Sequence, residues 1–265
     1  MKFITRLASL VTGLGLVGMM ATSSAYAEDT LARIHQEGTV KIGILTDFPP
    51  YGFVGPDLQP QGLDIDMTRL IASKLGVKLK FVTLVSANRI AALQADKVDI
   101  LVASMAKSPE REKVVDFTVP YAPYYQAVYG SKSITVKSFA DLAGKTVAVA
   151  KGSTQDDNLQ KVAPPTTNIL RFESSTDAIQ AVLSGQSQFI AMGSSVVGPI
   201  LKQHPDANIE YKLLLKDSPN YIAVRKGDTA LLNKLNEIIR GARADGTLEK
   251  MSQKWLGEGV GKLAD

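Results

Sequence analysis

Arg111 is the residue whose setting most invites chemistry. It lies in the stretch Asp99–Thr118, DILVASMAKSPEREKVVDFT, one turn into a helix start. Ser108 stands there as N-cap, Pro109 at the first helical position and Glu110 in the first turn. Ser and Pro satisfy or dispense with the orphan backbone donors of such a start. A guanidinium in the same turn opposes the helix dipole, unless an anion sits beside it. Its planar fork matches a carboxylate bidentately. Two readings follow: a clamp for a ligand carboxylate, or a solvated residue pairing with Glu110 or Asp116. Lys107 reads as solvent-facing.

Gly152-Ser153-Thr154 offers backbone N–H groups and hydroxyls at a second helix start, either as an anion site or as an ordinary cap. Phe48 and Tyr51 flank Pro49-Pro50 in the loop TDFPPYGFVGPDLQPQG; aromatics by number alone belong to a core, whereas the prolines argue for an apolar wall held at the surface.

Catalytic constellations are thin. His35 falls in a starting helix and His204 in a loop, so neither a metal pair nor a triad is suggested. No P-loop occurs, and the absence of cysteine rules out thiolate or disulfide chemistry. Asp64 with Asp66, and Asp156 with Asp157, read as first-turn residues favourable to their helix dipoles. The sequence therefore predicts no catalytic residues, no metal site and no cofactor.

The elements that must position these residues alternate strand and helix. Val40–Leu45 is a strand. A helix opened by Asp64 and Asp66 carries the apolar stripe Met67, Leu70, Ile71, Leu75 and ends at Gly76. Leu79–Leu84 is a second strand, Ser86 caps a short helix containing Asn88 and Arg89, and a buried strand begins at Ile100. The pattern restarts with the strand Lys145–Ala150, a helix start at Ser153, and a strand over Ile169–Phe172. A helix capped by Thr176 or Asp177 follows, then a strand at Phe189–Met192. Residues Ile90–Ser104 and Ile179–Gly193 share this helix–turn–strand layout at a constant offset of 89. Tyr221–Val224 is strand-like, and two striped helices finish the chain.

Such alternation predicts mostly parallel sheets in two equivalent α/β lobes. Ligands in open parallel sheets bind beyond the carboxyl ends of strands. That rule nominates the loop after Leu45, the turn Ser104–Arg111, the turn Gly152–Gln155 and Gly193–Ser195. All would line one cleft.

The first 27 residues read as a cleavable secretory signal: Lys2 and Arg6, an apolar run over Leu7–Met20, and Ala25-Tyr26-Ala27. No cysteine follows the run, which argues against a lipid anchor. No later segment approaches the roughly 18 apolar residues of a membrane span. Without Lys2 and Arg6 the formal charge falls from +4 to about +2, with no basic block of the kind nucleic acid selects. The expected divisions are residues 1–27 as signal peptide, 28–130 as the first part of lobe 1, 131–222 as lobe 2, and 223–265 as the return to lobe 1.

Several segments resemble one family: GTVKIGI, DFPPYGF, GLDIDM, NRIAALQADKVDILVASMAKSPEREKVVDFT, GKTVAVAKGSTQ and RADGTLEKMSQKWLG. In this order and spacing they resemble the type II periplasmic solute-binding proteins serving amino-acid ABC transporters, over nearly the whole mature chain. The resemblance implies two Rossmann-like lobes joined by a two-strand hinge, closing on a ligand as a Venus-flytrap. It also implies a periplasmic, monomeric receptor with a membrane permease as partner. By position, Phe48 matches the aromatic on the ligand, Ser104 a binding serine, and Arg111 the carboxylate clamp. Ser153 and Thr154 match the second lobe's closing hydroxyls. Arg89 resembles an arginine that reaches an acidic ligand side chain, or else faces solvent.

Two departures stand out. Ala103 and Ala106 replace hydroxyls common in relatives, and Gly193 stands where the family's ammonium-binding aspartate belongs. Asp47, with help from Ser194 or Ser195, is the expected substitute. Otherwise the ligand is a carboxylate without an amino group. An exported cyclohexadienyl dehydratase on the same fold is the enzymatic alternative, with Glu173 as its nearest second-lobe acid. The sensing module of a larger receptor is a third reading.

Overall fold

A computed structural model describes residues 29–263. The signal-peptide reading falls on residues outside that range. None of the described helices is long and apolar enough to cross a membrane.

In chain order, helix α1 (Thr30–Glu37) is followed by strand β1 (Thr39–Ile44). A small meander, β2 (Asp47–Phe48), β3 (Gly52–Val54) and β4 (Pro60–Gln61), leads to α2 (Leu63–Leu75). Next come β5 (Lys78–Thr83), α3 (Arg89–Gln94), β6 (Ile100–Met105), the single turn α4 (Pro109–Glu112) and β7 (Val115–Phe117). The other lobe runs β8 (Tyr125–Ser131), β9 (Thr146–Ala150), α5 (Thr154–Val162), β10 (Asn168–Phe172), α6 (Ser175–Leu183), β11 (Phe189–Gly193), α7 (Ser194–Gln203) and β12 (Ile209–Asp217). Strand β13 (Tyr221–Arg225) and helices α8 (Thr229–Ala244) and α9 (Thr247–Leu256) complete the chain.

The two main sheets have the same plan. One is ordered β5-β1-β6-β13-β7 and the other β10-β9-β11-β8-β12. In each, three parallel strands are flanked by an antiparallel strand that arrives from the other lobe. The central strands explain the runs of apolar residues in the sequence. Every residue of β6 and of β11 is buried, as expected of strands covered on both faces. The edge strands β5 and β10 are only partly covered. Each fully buried Ile, Leu or Val contributes roughly 1.5–3 kcal/mol.

Helix ends follow their local chemistry. Ser108 Oγ accepts from Arg111 N, and Ser153 Oγ from Asp156 N, as N-caps do. The cap of α6 is Ser174, whose Oγ accepts from Asp177 N, and not Thr176 or Asp177. Asp66 is more than a first-turn residue. Its Oδ2 accepts from the Trp255 indole and the Lys254 ammonium, each at 2.7 Å, and so ties α2 to α9.

The sheets also move the expected lobe boundaries. A break at 130/131 would cut through β8, which pairs with β11 and β12 in the second sheet. A break at 222/223 would cut through β13, which pairs with β6 and β7 in the first. The chain crosses between lobes at residues 118–124 and 218–220. These crossings form an antiparallel ladder: Tyr121 N donates to Asn220 O (3.0 Å), Asn220 N to Ala122 O (2.9 Å) and Ser218 N to Tyr124 O (3.0 Å).

Candidate functional site

The lobes meet across the carboxyl ends of β1, β6, β9 and β11, and they meet closed. Arg111 is the centre of the contact. Its Nη1 donates to Thr154 Oγ1 across the cleft at 3.0 Å and to Ala106 O at 3.3 Å. Its Nη2 donates to Gly152 O at 3.3 Å and lies 2.9 Å from Asp157 Oδ2. The guanidinium is thus buried, not solvated, and neither Glu110 nor Asp116 is its partner. Burial lowers its pKa, and the facing Asp157 carboxylate opposes that shift.

Arg89 is buried beside it, not solvent-facing. Its Nε donates to Ser86 O (3.0 Å), its Nη1 to Ala103 O, and its Nη2 to Gly152 O across the cleft (3.2 Å). Burial, with Arg111 nearby, pushes its pKa down to about 9, which still leaves it charged at neutral pH. Two guanidiniums therefore converge on one carbonyl. Residue 152 must be small for this: its φ is +65°, and a Cβ there would stand 2.8 Å from Ala87 Cα.

Other nominated residues have partners of their own. Asp47 Oδ2 accepts from Ser175 N at 2.7 Å, so lobe 1 places a carboxylate at the start of α6 in lobe 2. Ser104, at φ +49°, donates its hydroxyl to Asp64 Oδ2 at 2.8 Å. Ser153 serves as the α5 cap. Of the serines that open α7, Ser195 meets lobe 1, its Oγ 3.2 Å from Tyr51 Oη.

Phe48 and Tyr51 are not a surface wall. They are 5% and 0% exposed; their rings stack on each other and meet the Tyr124 ring edge-on, with centroids 5.4–6.1 Å apart. Tyr124 also covers Gly193, where a Cβ would come within 2.3 Å of its ring, and its hydroxyl accepts from Gln155 Nε2.

Sequence reasoning gave no site role to Tyr121 or Tyr124, and read Asp64 and Asp157 only as first-turn residues favourable to their helix dipoles. Asp64 is fully enclosed: Oδ1 accepts from Tyr121 Oη at 2.7 Å and Oδ2 from Ser104. Burial raises its pKa, against the lowering by those donors. The available signals were the run of tyrosines Tyr121, Tyr124, Tyr125 and Tyr129 between the lobes and the 89-residue offset. They place Tyr121 and Tyr124 at the hinge and make Ser104 and Gly193 counterparts.

Beside Arg89, Arg111 and Gly152 lies a cavity of about 290 Å³, also bordered by Met105 and Asp157. Among the described residues, no group of three His, Cys, Asp or Glu side chains is arranged to hold a metal ion.

Two α/β lobes of one plan, closing across strand ends and joined by a two-strand ladder, define a Venus-flytrap solute-binding protein of the type II periplasmic class. The chain belongs to the bacterial extracellular solute-binding proteins, family 3, whose model matches residues 40–258. It is 33% identical over 239 residues to the ABC transporter glutamine-binding protein GlnH of Bacillus subtilis (strain 168), covering 87% of this chain and 86% of that protein. It is 29% identical to the ABC transporter arginine-binding protein 1 of Escherichia coli (strain K12), covering 82% and 90%. Among solved structures it is similar to an ancestral arginine-binding protein bound to arginine: 37% identity, TM-score 0.78, covering 83% of this chain and 99% of that one. It is also similar to an ancestral amino acid-binding protein described as a precursor of cyclohexadienyl dehydratase. There the identity is 34% and the TM-score 0.77, with 86% and 99% covered. The fold and family expectations hold, and the protein captures a small, amino acid-like ligand between its lobes.

Proposed function

We propose that this protein is the exported receptor of an ABC importer, capturing a small α-amino acid by its carboxylate and handing it to a membrane permease. The observation that carries the reading is the buried Arg111 guanidinium opposite Thr154, a bidentate donor set divided between closing lobes. The names of the relatives, glutamine- and arginine-binding proteins, support an amino acid as the solute. On this reading Arg111 and Thr154 take the carboxylate, and Phe48, Tyr51 and Tyr124 form the apolar floor. The receptor acts as a monomer, and residues 1–27 direct its export.

A thermal-shift panel of amino acids and organic acids, followed by calorimetry, tests this. Arg111→Ala is expected to weaken every hit about 100-fold or more, because the partners of a buried charge are left unpaired. Retained affinity in that variant would sink the clamp.

The position of Glu173 does not support the dehydratase alternative. Glu173 is exposed and pairs with Lys151 on the surface at 3.1 Å. Incubation with prephenate or arogenate is expected to give no aromatic product.

A further inference from the structure

An α-amino acid held by Arg111 brings an ammonium group into the cleft, and an unpaired ammonium is costly there. A carboxylate must face it. The acids around the cleft are few, and most are committed. Asp47 receives the Ser175 N–H. Asp64 is enclosed by Ser104 and Tyr121. Asp156 holds Arg171 Nε at 2.9 Å and the Gly152 N–H at 3.1 Å. Glu110 reaches out to Lys161 at 3.1 Å. The end of β11 supplies none, since Tyr124 occupies the space beside Gly193.

Asp157 is different. It projects from α5, one turn beyond Thr154, and its only described ion pair is with Arg111 itself. Its side chain remains 41% exposed and borders the 290 Å³ cavity. Arg111 belongs to lobe 1 and Asp157 to lobe 2, so this pair is an interlobe contact that opening must break.

We propose that Asp157 is the ammonium acceptor of this receptor, and that an α-amino acid binds by inserting between Arg111 and Asp157. The ligand carboxylate replaces the Asp157 carboxylate on Arg111, and the ligand ammonium pairs with the Asp157 so released. A zwitterion fits that gap without changing its charge. A carboxylate lacking the amino group must instead leave Asp157 facing a like charge. The pair thus selects for the amino group. This inference rests on the proposed amino-acid reading and assigns its second polar anchor.

Matched ligands test it by calorimetry: L-glutamine against glutaramate, and L-arginine against 5-guanidinopentanoate, with the other standard L-amino acids screened alongside. The parent protein is expected to prefer the amino form of whichever pair binds. Asp157→Asn is expected to weaken the amino acid about 10-fold or more, and to leave its des-amino partner unchanged or tighter, because the competitor for Arg111 has lost its charge. Asp157→Glu is expected to restore the preference. Equal changes for both members of a pair overturn the proposal, as does failure of every standard amino acid to bind. Arg111→Ala separates the two readings. If it leaves binding intact the carboxylate clamp fails, whereas loss of both ligands in Arg111→Ala with no selectivity change in Asp157→Asn removes only the ammonium site.

Discussion

The ends of the two central strands, Ser104 in lobe 1 and Gly193 in lobe 2, occupy equivalent places in sheets of the same order. Their surroundings differ in kind. At Ser104 the chain builds a closed polar network, with Asp64 accepting from both the serine and Tyr121. At Gly193 it builds an apolar contact, with the Tyr124 ring lying against a backbone that has no side chain. Both tyrosines come from the same crossing segment, three residues apart. One hinge strand therefore meets the Ser104 end by a hydrogen bond to a carboxylate and the Gly193 end by ring packing. A repeated topology does not require a repeated chemistry at its mouth.

The sharpest way to break this contrast is to exchange the two chemistries. Gly193→Asp pushes a Cβ and a carboxylate into the Tyr124 ring. Overpacking and a buried unpaired charge together are expected to cost about 3 kcal/mol or more. Adding Tyr124→Ala is expected to recover a large part of that, which a double-mutant cycle in urea unfolding would register as a coupling. If Gly193→Asp is tolerated alone, Tyr124 is not the reason for the glycine. Asp64→Ala is the reciprocal change. It strands the hydroxyls of Ser104 and Tyr121, at an expected cost of about 2 kcal/mol.

Much of this architecture was legible in the sequence, because strand and helix periods, caps and glycine stops are local. The segments around β1, β6, β9 and β11 were placed to within a residue or two, and Arg111 and Thr154 were nominated for the same cleft. The lobe boundaries were not legible. Tyr125–Ser131 alternates no differently for pairing in one sheet than in the other, and the choice is made by long-range antiparallel partners. Nor was Asp157. An acid in a first turn reads as dipole compensation until tertiary structure sets an arginine from the other lobe 2.9 Å away. For Phe48 and Tyr51 the choice between core and surface wall was open for the same reason: the ring that meets both edge-on, Tyr124, lies more than 70 positions along the chain.

A milder pair of substitutions sharpens the comparison. Tyr121→Phe removes a donor to a carboxylate, whereas Tyr124→Phe removes an acceptor for the neutral Gln155 amide. Bonds to charged groups contribute roughly 1.5–3 kcal/mol and neutral ones roughly 0.5–1.5. Tyr121→Phe is therefore expected to be the more destabilising of the two in urea unfolding. The reverse order would mean that the lobe 1 network is held by packing after all.

The smallest effect is also the most specific to the Ser104 end, where Asp64 is a carboxyl and its counterpart at Gly193 is a phenol. Burial raises the Asp64 pKa above its ordinary value of 3.8. Between the unfolded and folded values the native state binds more protons than the unfolded chain, so stability falls as pH rises through that window. Asn at this position carries no such slope. The stability of the parent relative to Asp64→Asn is thus expected to decline from the ordinary carboxylate range upward, and to level off above the folded value. Tyr124→Phe is expected to run parallel to the parent over the same range, from about pH 3 to pH 7, where a phenol keeps its proton. A parent that gains stability over Asp64→Asn with rising pH would show that the Tyr121 and Ser104 donors outweigh burial. The folded lobe 1 would then favour the Asp64 charge rather than oppose it, at the place where lobe 2 presents a ring.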